Sequence, residues 1–169
     1  MNMNLADKMI RAAKLDVQLY EEVEKDPEAT KEAFLVVLIG AICNGIGSIG
    51  VLGAKGIIAG LISAIIGWVL WSIVIFLIGV KVFKYTSDMG ELLRCLGFAY
   101  SPNAVSILGV IPLIGGIIRF VVFIWILVAF IVAVRQALDC GTGRAILVSV
   151  LGFIAFLIIT AMFFRLFAF

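Results

Sequence analysis

Charged residues divide the chain beyond residue 32 into long apolar runs. Four of these runs contain at least 20 residues, and a fifth contains 15 residues between Arg119 and Arg135. A helix needs about 20 predominantly apolar residues to cross the hydrocarbon core of a bilayer. The pattern therefore predicts an all-α integral membrane protein.

The short fifth run becomes long enough to cross if the preceding segment turns at Gly115-Gly116. Arg119 and Arg135 then extend their charged ends to opposite surfaces. This arrangement predicts a five-helix bundle. A re-entrant hairpin made of the third and fourth segments, which leaves three full crossings, is the alternative. The predicted spans are 33–54, 56–80, 95–114, 117–138 and 145–164.

The basic residues predict the orientation of this bundle. With five spans and an inner N-terminus, ten of the 13 lysines and arginines lie on the inner side. Inner loops of membrane proteins carry such an excess, so the N-terminus is predicted inside and the C-terminus outside. The inner set is Lys8, Arg11, Lys14, Lys25, Lys31, Lys81, Lys84, Arg94, Arg135 and Arg144, and the outer set is Lys55, Arg119 and Arg165.

The composition argues against several classes of function. The chain has no histidine, and histidine is the commonest metal ligand and general acid or base. Its three cysteines form no CxxC motif, and no span carries an ionisable residue near its middle, as proton relays do. The net charge of +2 gives no argument for a nucleic-acid partner. We therefore predict no catalytic, cofactor or metal site.

Residues 1–32 are predicted to form a cytosolic amphipathic segment ahead of the membrane domain at 33–169. Residues 4–25 have apolar side chains on one broad face at helical spacing, which predicts a single amphipathic helix. This helix either lies in the headgroup layer or packs on the loops of the bundle. The polar start shows no cleavable signal peptide, so the first apolar run is expected to direct insertion.

A group of polar residues falls inside the predicted spans. Pro102 has no N–H, so a helix through it leaves the Phe98 carbonyl unpaired, and Asn44 and Ser72 are candidates to bond it. The group forms either a small polar cavity on the inner side, which takes a lipid headgroup or a partner's side chain, or a set of hydrogen bonds between helices. Its members are Asn44, Ser72, Tyr100, Ser101, Pro102, Asn103 and Ser149.

Glycines are dense in the first two spans, and the pair Gly56-xxx-Gly60 suits close helix packing. This packing serves either a homodimer or contacts within the chain. The fourth helix instead offers bulky side chains such as Phe123, Trp125 and Phe130. We expect it to face lipid or another membrane subunit.

Three stretches carry a family resemblance: LYEEVEKDPEATKEAF at 19–34, ELLRCLGFAYSPNAV at 91–105 followed by IPLIGG, and GTGRA at 141–145. In them the chain resembles the Yip family of multi-span membrane proteins. The resemblance implies a five-helix bundle with an inner N-terminus. In eukaryotic relatives it implies vesicle trafficking, membrane shaping and binding of prenylated small GTPases.

The chain is more similar to the compact prokaryotic members of that family. Its N-terminal region of about 32 residues lacks the longer acidic and hydrophobic cytosolic segment that relatives use for partner binding. GTPase binding is therefore not carried over to this chain. The resemblance implies a prokaryotic cytoplasmic membrane, with the endoplasmic reticulum or Golgi membrane as the alternative.

These observations favour a non-enzymatic membrane protein, either a small scaffold or accessory subunit or a component of membrane organisation or trafficking. Its expected partners are membrane lipids and other integral membrane proteins or a second copy of the chain. The alternative is a lipid or small-solute transporter or scramblase that uses the proline-broken third helix, because broken helices at membrane depth often mark transport sites.

Overall fold

The computed structural model describes residues 4–167, and that part of the chain is built of helices joined by short turns. The helices are α1 (Leu5–Ala13), α2 (Val17–Lys25), α3 (Ala29–Gly47), α4 (Ile49–Phe76, extended by a π-helical turn Leu77–Val82), α5 (Met89–Phe98), a 3-10 helix (Ser101–Val110), α6 (Gly115–Ala137) and α7 (Thr142–Phe167). The prediction of an all-α protein is confirmed.

Four helices in the described part are long and apolar enough to cross a membrane. They cover Ala29–Gly47, Gly56–Val82, Gly115–Ala137 and Thr142–Ile159. The second begins after Gly53, where a positive φ of 67° interrupts the helix. Glycine adopts this conformation at little cost, so the chain reverses direction between the first two crossings near this residue.

The prediction of one N-terminal helix over residues 4–25 is wrong, because the segment forms two helices. Leu15 adopts a φ of 63° between them. The Asp16 carboxylate then accepts a hydrogen bond from the Gln18 N–H at 3.0 Å and caps α2. Both helices are amphipathic with nearly the same phase, so hydrophobic periodicity alone could not reveal the break.

The hairpin formed by α1 and α2, called here the N-terminal hairpin, packs its apolar face on the bundle. Leu19 and Tyr20 of α2 are fully buried, as is Ala12 of α1. Helix α2 contacts α5 and α6, while α1 contacts the 3-10 helix. Of the two alternatives for this amphipathic face, the structure therefore shows packing against the protein.

The third segment, defined here as α5 together with the 3-10 helix, does not form one helix over 95–114. Its α-helix begins at Met89, where Asp88 and Glu91 form a reciprocal capping box, and it ends at Phe98. Pro102 has no N–H to bond the Phe98 carbonyl, so the α-helical hydrogen-bond ladder cannot continue through it. The chain continues instead as the narrower 3-10 helix Ser101–Val110.

A 3-10 helix repeats every three residues, so Tyr100, Asn103, Ser106 and Gly109 lie on one face. This face meets α3. Gly40 of α3 meets Tyr100 and Asn103, and Gly47 meets Ser106 and Gly109. Seven residues before Gly40, Ala33 meets Gly97 of α5, so the contact continues along the whole third segment.

Contacts along this seam are too close to admit side chains. A Cβ added to Gly97 would lie 2.7 Å from the Ala33 Cβ, and one added to Gly47 would lie 1.8 Å from the Ser106 carbonyl oxygen. The pairs follow the same order in both segments, so α3 and the third segment run parallel. By contrast, a Cβ at Gly60 would meet nothing within 4 Å, so that glycine of the predicted motif makes no close contact here.

We expect Gly47→Ala to destabilise the protein by about 1–3 kcal/mol or more, because the added methyl group collides with backbone rather than with a flexible side chain. The measurement is unfolding in detergent micelles, followed by circular dichroism. Gly60→Ala is the matched control, and it should be neutral or slightly stabilising because alanine favours helix over glycine. Equal effects of the two substitutions would contradict the close packing of α3 against the third segment at Gly47.

Candidate functional site

The break in the third segment satisfies its own backbone. The Ser101 hydroxyl donates a hydrogen bond of 2.6 Å to the Phe98 carbonyl, the group that Pro102 leaves without an N–H partner. The two residues expected to do this lie elsewhere. Ser72 donates to the Trp68 carbonyl at 2.9 Å within α4, and Asn44 is exposed on α3.

The structure brings together Tyr100, Ser101, Pro102 and Asn103 and separates them from the other members of the predicted polar group. Asn103 is buried against Gly40 of α3. Its side-chain oxygen accepts a hydrogen bond of 3.4 Å from the Ser106 hydroxyl. Ser106 was absent from the prediction, although its spacing of three residues from Asn103 was a usable signal.

The cavity beside this break is aromatic rather than polar. It has a volume of about 150 Å³ and is lined by Gly67, Trp68, Trp71, Leu96, Tyr100 and Phe130. The Trp68 indole N–H is already bonded, at 3.0 Å, to the Leu93 carbonyl. The hydroxyls of Ser101 and Ser106 bond acceptors three residues earlier in the same segment, so these hydrogen bonds are local rather than interhelical.

The charge pattern predicted that a span starts immediately after Arg94, but the structure places this residue inside α5. It is buried, and its guanidinium donates hydrogen bonds to the Glu24 carbonyl at the end of α2. Next to it, the Gln136 amide donates to the Glu21 carboxylate at 3.1 Å. These contacts fasten the N-terminal hairpin to α5 and α6.

Ion pairs hold the hairpin itself and join it to α3. Arg11 pairs with Asp16 at 2.6 Å and with Glu22 at 2.9 Å. The hydrogen bond from Arg11 lowers the pKa of the Asp16 carboxyl. Lys8 pairs with Glu32, near the start of α3, at 2.5 Å. The basic face of α1 therefore has partners within the protein.

The fourth predicted helix, α6, is only partly lipid-facing. Phe123 is 55% exposed. Trp125, however, donates its indole N–H to the Ala13 carbonyl at the end of α1, at 2.7 Å. A helix carbonyl in the last turn has no intrahelical donor, so Trp125 satisfies a group that the sequence pattern alone could not locate.

Arg119 hydrogen-bonds the C-terminal end of the third segment, whereas Arg94 lies in α5 at the start of that segment. One guanidinium nitrogen donates to both the Gly47 carbonyl, at 3.1 Å, and the Gly109 carbonyl, at 3.0 Å. These carbonyls lie at the C-terminal ends of α3 and the 3-10 helix, where a positive charge complements the helix dipoles. The charge pattern predicted that Arg119 lies at the outer surface, but it did not indicate that the guanidinium bonds two backbone carbonyls.

The Glu24 carboxyl, at the end of α2 beside Arg94, is unusual. Its pKa is raised from 4.5 to about 7, mainly by burial and then by the charges of Asp139 and Glu91, while the charge of Lys25 acts in the opposite direction. Across residues 4–167, no three His, Cys, Asp or Glu side chains are grouped so that they could hold a metal ion.

Long apolar helices packed around a broken central segment define a multi-span helical membrane protein. The sequence profile of the Yip1 domain matches residues 17–163, and the chain belongs to this family. The predicted family is thereby confirmed. No curated protein and no solved structure matches the chain.

We expect Ser101→Ala to destabilise the protein by about 1–3 kcal/mol, because it leaves the buried Phe98 carbonyl without a donor. Ser72→Ala is the matched control. Ser72 is also buried, but its acceptor lies four residues earlier in the same helix and keeps its backbone donor. The free energy of unfolding in detergent micelles is measured for both variants. A loss of stability in Ser72→Ala as large as that in Ser101→Ala would contradict the hydrogen bond assigned to Ser101.

Glu24 should make the protein less stable as pH rises. Its folded pKa of about 7 exceeds the ordinary value of 4.5, so between these values the folded state keeps a proton that the unfolded chain has lost. The free energy of unfolding therefore falls as pH rises through this window. Melting temperatures at pH 5 and pH 8 test this.

Glu24→Gln should remove the part of the pH-dependent loss of stability that comes from this carboxyl. The variant should therefore have a higher melting temperature than the wild type at pH 8. Glu28→Gln is the control, because Glu28 is exposed and pairs only with the exposed Lys31, a contact of small energetic value. A pH profile of the Glu24 variant that matches the wild type would show that this carboxyl titrates normally.

Proposed function

We propose that this Yip1 family protein is a non-enzymatic scaffold or accessory subunit that associates with other membrane proteins. One observation supports this above all: the polar groups of the third segment make hydrogen bonds within the chain, at the break and at both of its ends. They build a fixed body rather than a reaction site. The exposed surfaces of the helices are therefore the parts available to contact other membrane proteins.

Helix α6 supplies the surface that we assign to a membrane partner. Phe120, Phe123 and Ile124 are exposed on it, next to the side of the helix that carries Trp125 and the N-terminal hairpin. A partner bound here would contact both membrane-embedded apolar side chains and the hairpin. For the host membrane we propose a prokaryotic cytoplasmic membrane, as the family resemblance implies.

We further propose five crossings, with the N-terminus inside and the C-terminus outside. Two features support this topology. The third segment runs beside α3 from Ala33 to Gly47, and Arg119 joins the far ends of both segments. Leu113, which is 100% exposed, lies in the turn beyond that end. The side chain of Lys55, assigned to the outer side, lies outside the described residues.

Cysteine labelling tests the topology. In a variant without the native cysteines, Leu113→Cys should react with a membrane-impermeant maleimide added outside intact cells, because this turn lies on the outer side. Lys84→Cys, which is exposed in the turn before α5, should react only after permeabilisation. Protection of position 113 from outside would support the re-entrant hairpin and overturn the five-crossing proposal.

Photo-crosslinking tests the partner surface. A benzophenone amino acid at Phe120, which is 65% exposed, should form a discrete protein adduct in native membranes. The same group at Ile58 of α4, which is 67% exposed, should form lipid adducts only. Lipid adducts at both positions, together with a lone protomer in mass spectrometry from gentle detergent, would overturn the scaffold proposal.

The transport alternative requires the third segment to separate from α3. In this structure the seam is closed by backbone contact at Gly47 and Ser106. Lipid or solute flux in reconstituted liposomes tests this alternative, and flux no higher than in protein-free vesicles removes it.

A further inference from the structure

A second pocket opens on the outside of the bundle, between α4, α6 and α7. Its volume is about 320 Å³, and the surface that it offers is apolar. Phe123, Val150 and Phe153 are about half exposed at its rim, so it faces the hydrocarbon of the membrane. Trp71 of α4 and Ser149 of α7 also line it.

Two buried polar atoms in the described part of the chain have no hydrogen-bond partner, and both belong to this pocket. They are the indole nitrogen of Trp71 and the hydroxyl oxygen of Ser149. Most buried polar groups in proteins are hydrogen-bonded, and no water is available at this depth to replace a missing partner. Two such exceptions in one pocket point to a ligand that supplies the missing partner.

The other comparable groups of this bundle are bonded. The indole N–H groups of Trp68 and Trp125 donate to the Leu93 and Ala13 carbonyls, at 3.0 and 2.7 Å. Ser72, one residue after Trp71, donates to a backbone carbonyl at 2.9 Å. Among the described residues, the lack of a hydrogen-bond partner for a buried side-chain polar atom is therefore confined to Trp71 and Ser149, at this pocket.

The chemistry of the two groups defines the missing partner. An indole N–H can only donate a hydrogen bond, and a serine hydroxyl can donate as well. A single acceptor oxygen can therefore satisfy both groups, while the rest of the pocket is lined by apolar side chains that suit hydrocarbon. An acyl ester carbonyl combines the two, because it carries a strong acceptor directly on a hydrocarbon chain.

We propose that this pocket binds one acyl chain of a membrane glycerolipid, whose ester carbonyl accepts hydrogen bonds from Trp71 and Ser149. Ser149 lies seven residues into α7, or about 10 Å from its start at 1.5 Å per residue. This depth is within the leaflet next to the α6–α7 turn. The pocket shares Phe123 with the α6 surface assigned above to a membrane partner, but the binding of lipid to purified protein can be tested without that partner.

Both polar atoms are buried, so a side chain at the pocket must shift before a lipid carbonyl can reach them. The rings of Phe130, Phe153 and Phe156 have their centroids 5.7–6.3 Å from that of Trp71. Of these, Phe153 is half exposed, so we assign the shift to its ring.

The experiment compares a diester phospholipid with its diether analogue of the same chains and headgroup, added to delipidated protein in dodecyl maltoside. Affinity is read from native mass spectrometry and from the rise in melting temperature. The wild type should prefer the diester by about tenfold, as expected for hydrogen bonds that the ether oxygen makes poorly. Trp71→Phe and Ser149→Ala should reduce this preference towards one.

Two matched variants control for general effects on packing. Trp68→Phe and Ser72→Ala remove groups that already have protein partners, so they should keep the diester preference. Without lipid, Trp71→Phe and Ser149→Ala should leave the melting temperature unchanged or raised, because each removes an unpaired buried group, whereas Trp68→Phe should lower it.

Either of two results overturns the proposal. If Trp71→Phe and Ser149→Ala lower the melting temperature of the lipid-free protein as Trp68→Phe does, the two groups have protein partners. If the wild type binds diester and diether lipids equally, the pocket does not recognise a carbonyl.

Discussion

The structure depends on the direct contact between α3 and the third segment. At Gly47 the two backbones approach so closely that even a methyl group does not fit. Apolar side chains gain little by leaving lipid for a protein interior, so helices in membranes associate through close packing and hydrogen bonds. Here the small residues of α3 permit the packing, and the narrow 3-10 helix presents Asn103 and Ser106 to it. Arg119 then ties the far ends of both segments together.

The sequence was sufficient for features that depend on composition and on covalent chemistry. Apolar runs of 20 or more residues predicted three of the four long apolar helices, because their length is set by the thickness of the bilayer. The fourth, Gly115–Ala137, was predicted from the 15-residue run by placing a turn at Gly115-Gly116. Pro102 predicted the break, since a missing N–H is a property of the residue itself. The family resemblance rested on short stretches around the same positions, and the match over residues 17–163 confirms it.

The partners of individual side chains could not be predicted in the same way. The charge pattern placed Arg94 just before the third span, and its bond to Glu24, 70 residues away in sequence, could be found only once α2 was placed beside α5. Ser149 likewise belonged to the polar group until the helices were arranged in space. The two-helix form of the N-terminus was hidden for a different reason: its cap at Asp16 is local, but the hydrophobic phase continues across Leu15.

The contacts of the N-terminal hairpin have a consequence for biosynthesis. The hairpin emerges from the ribosome before its hydrogen-bonding partners Arg94, Trp125 and Gln136, which are 70 to 115 residues further along the chain. Its apolar face therefore has no docking surface until α6 has been made. During that interval the apolar face of this amphipathic segment is uncovered, and a chaperone or the lipid surface can shield it from water.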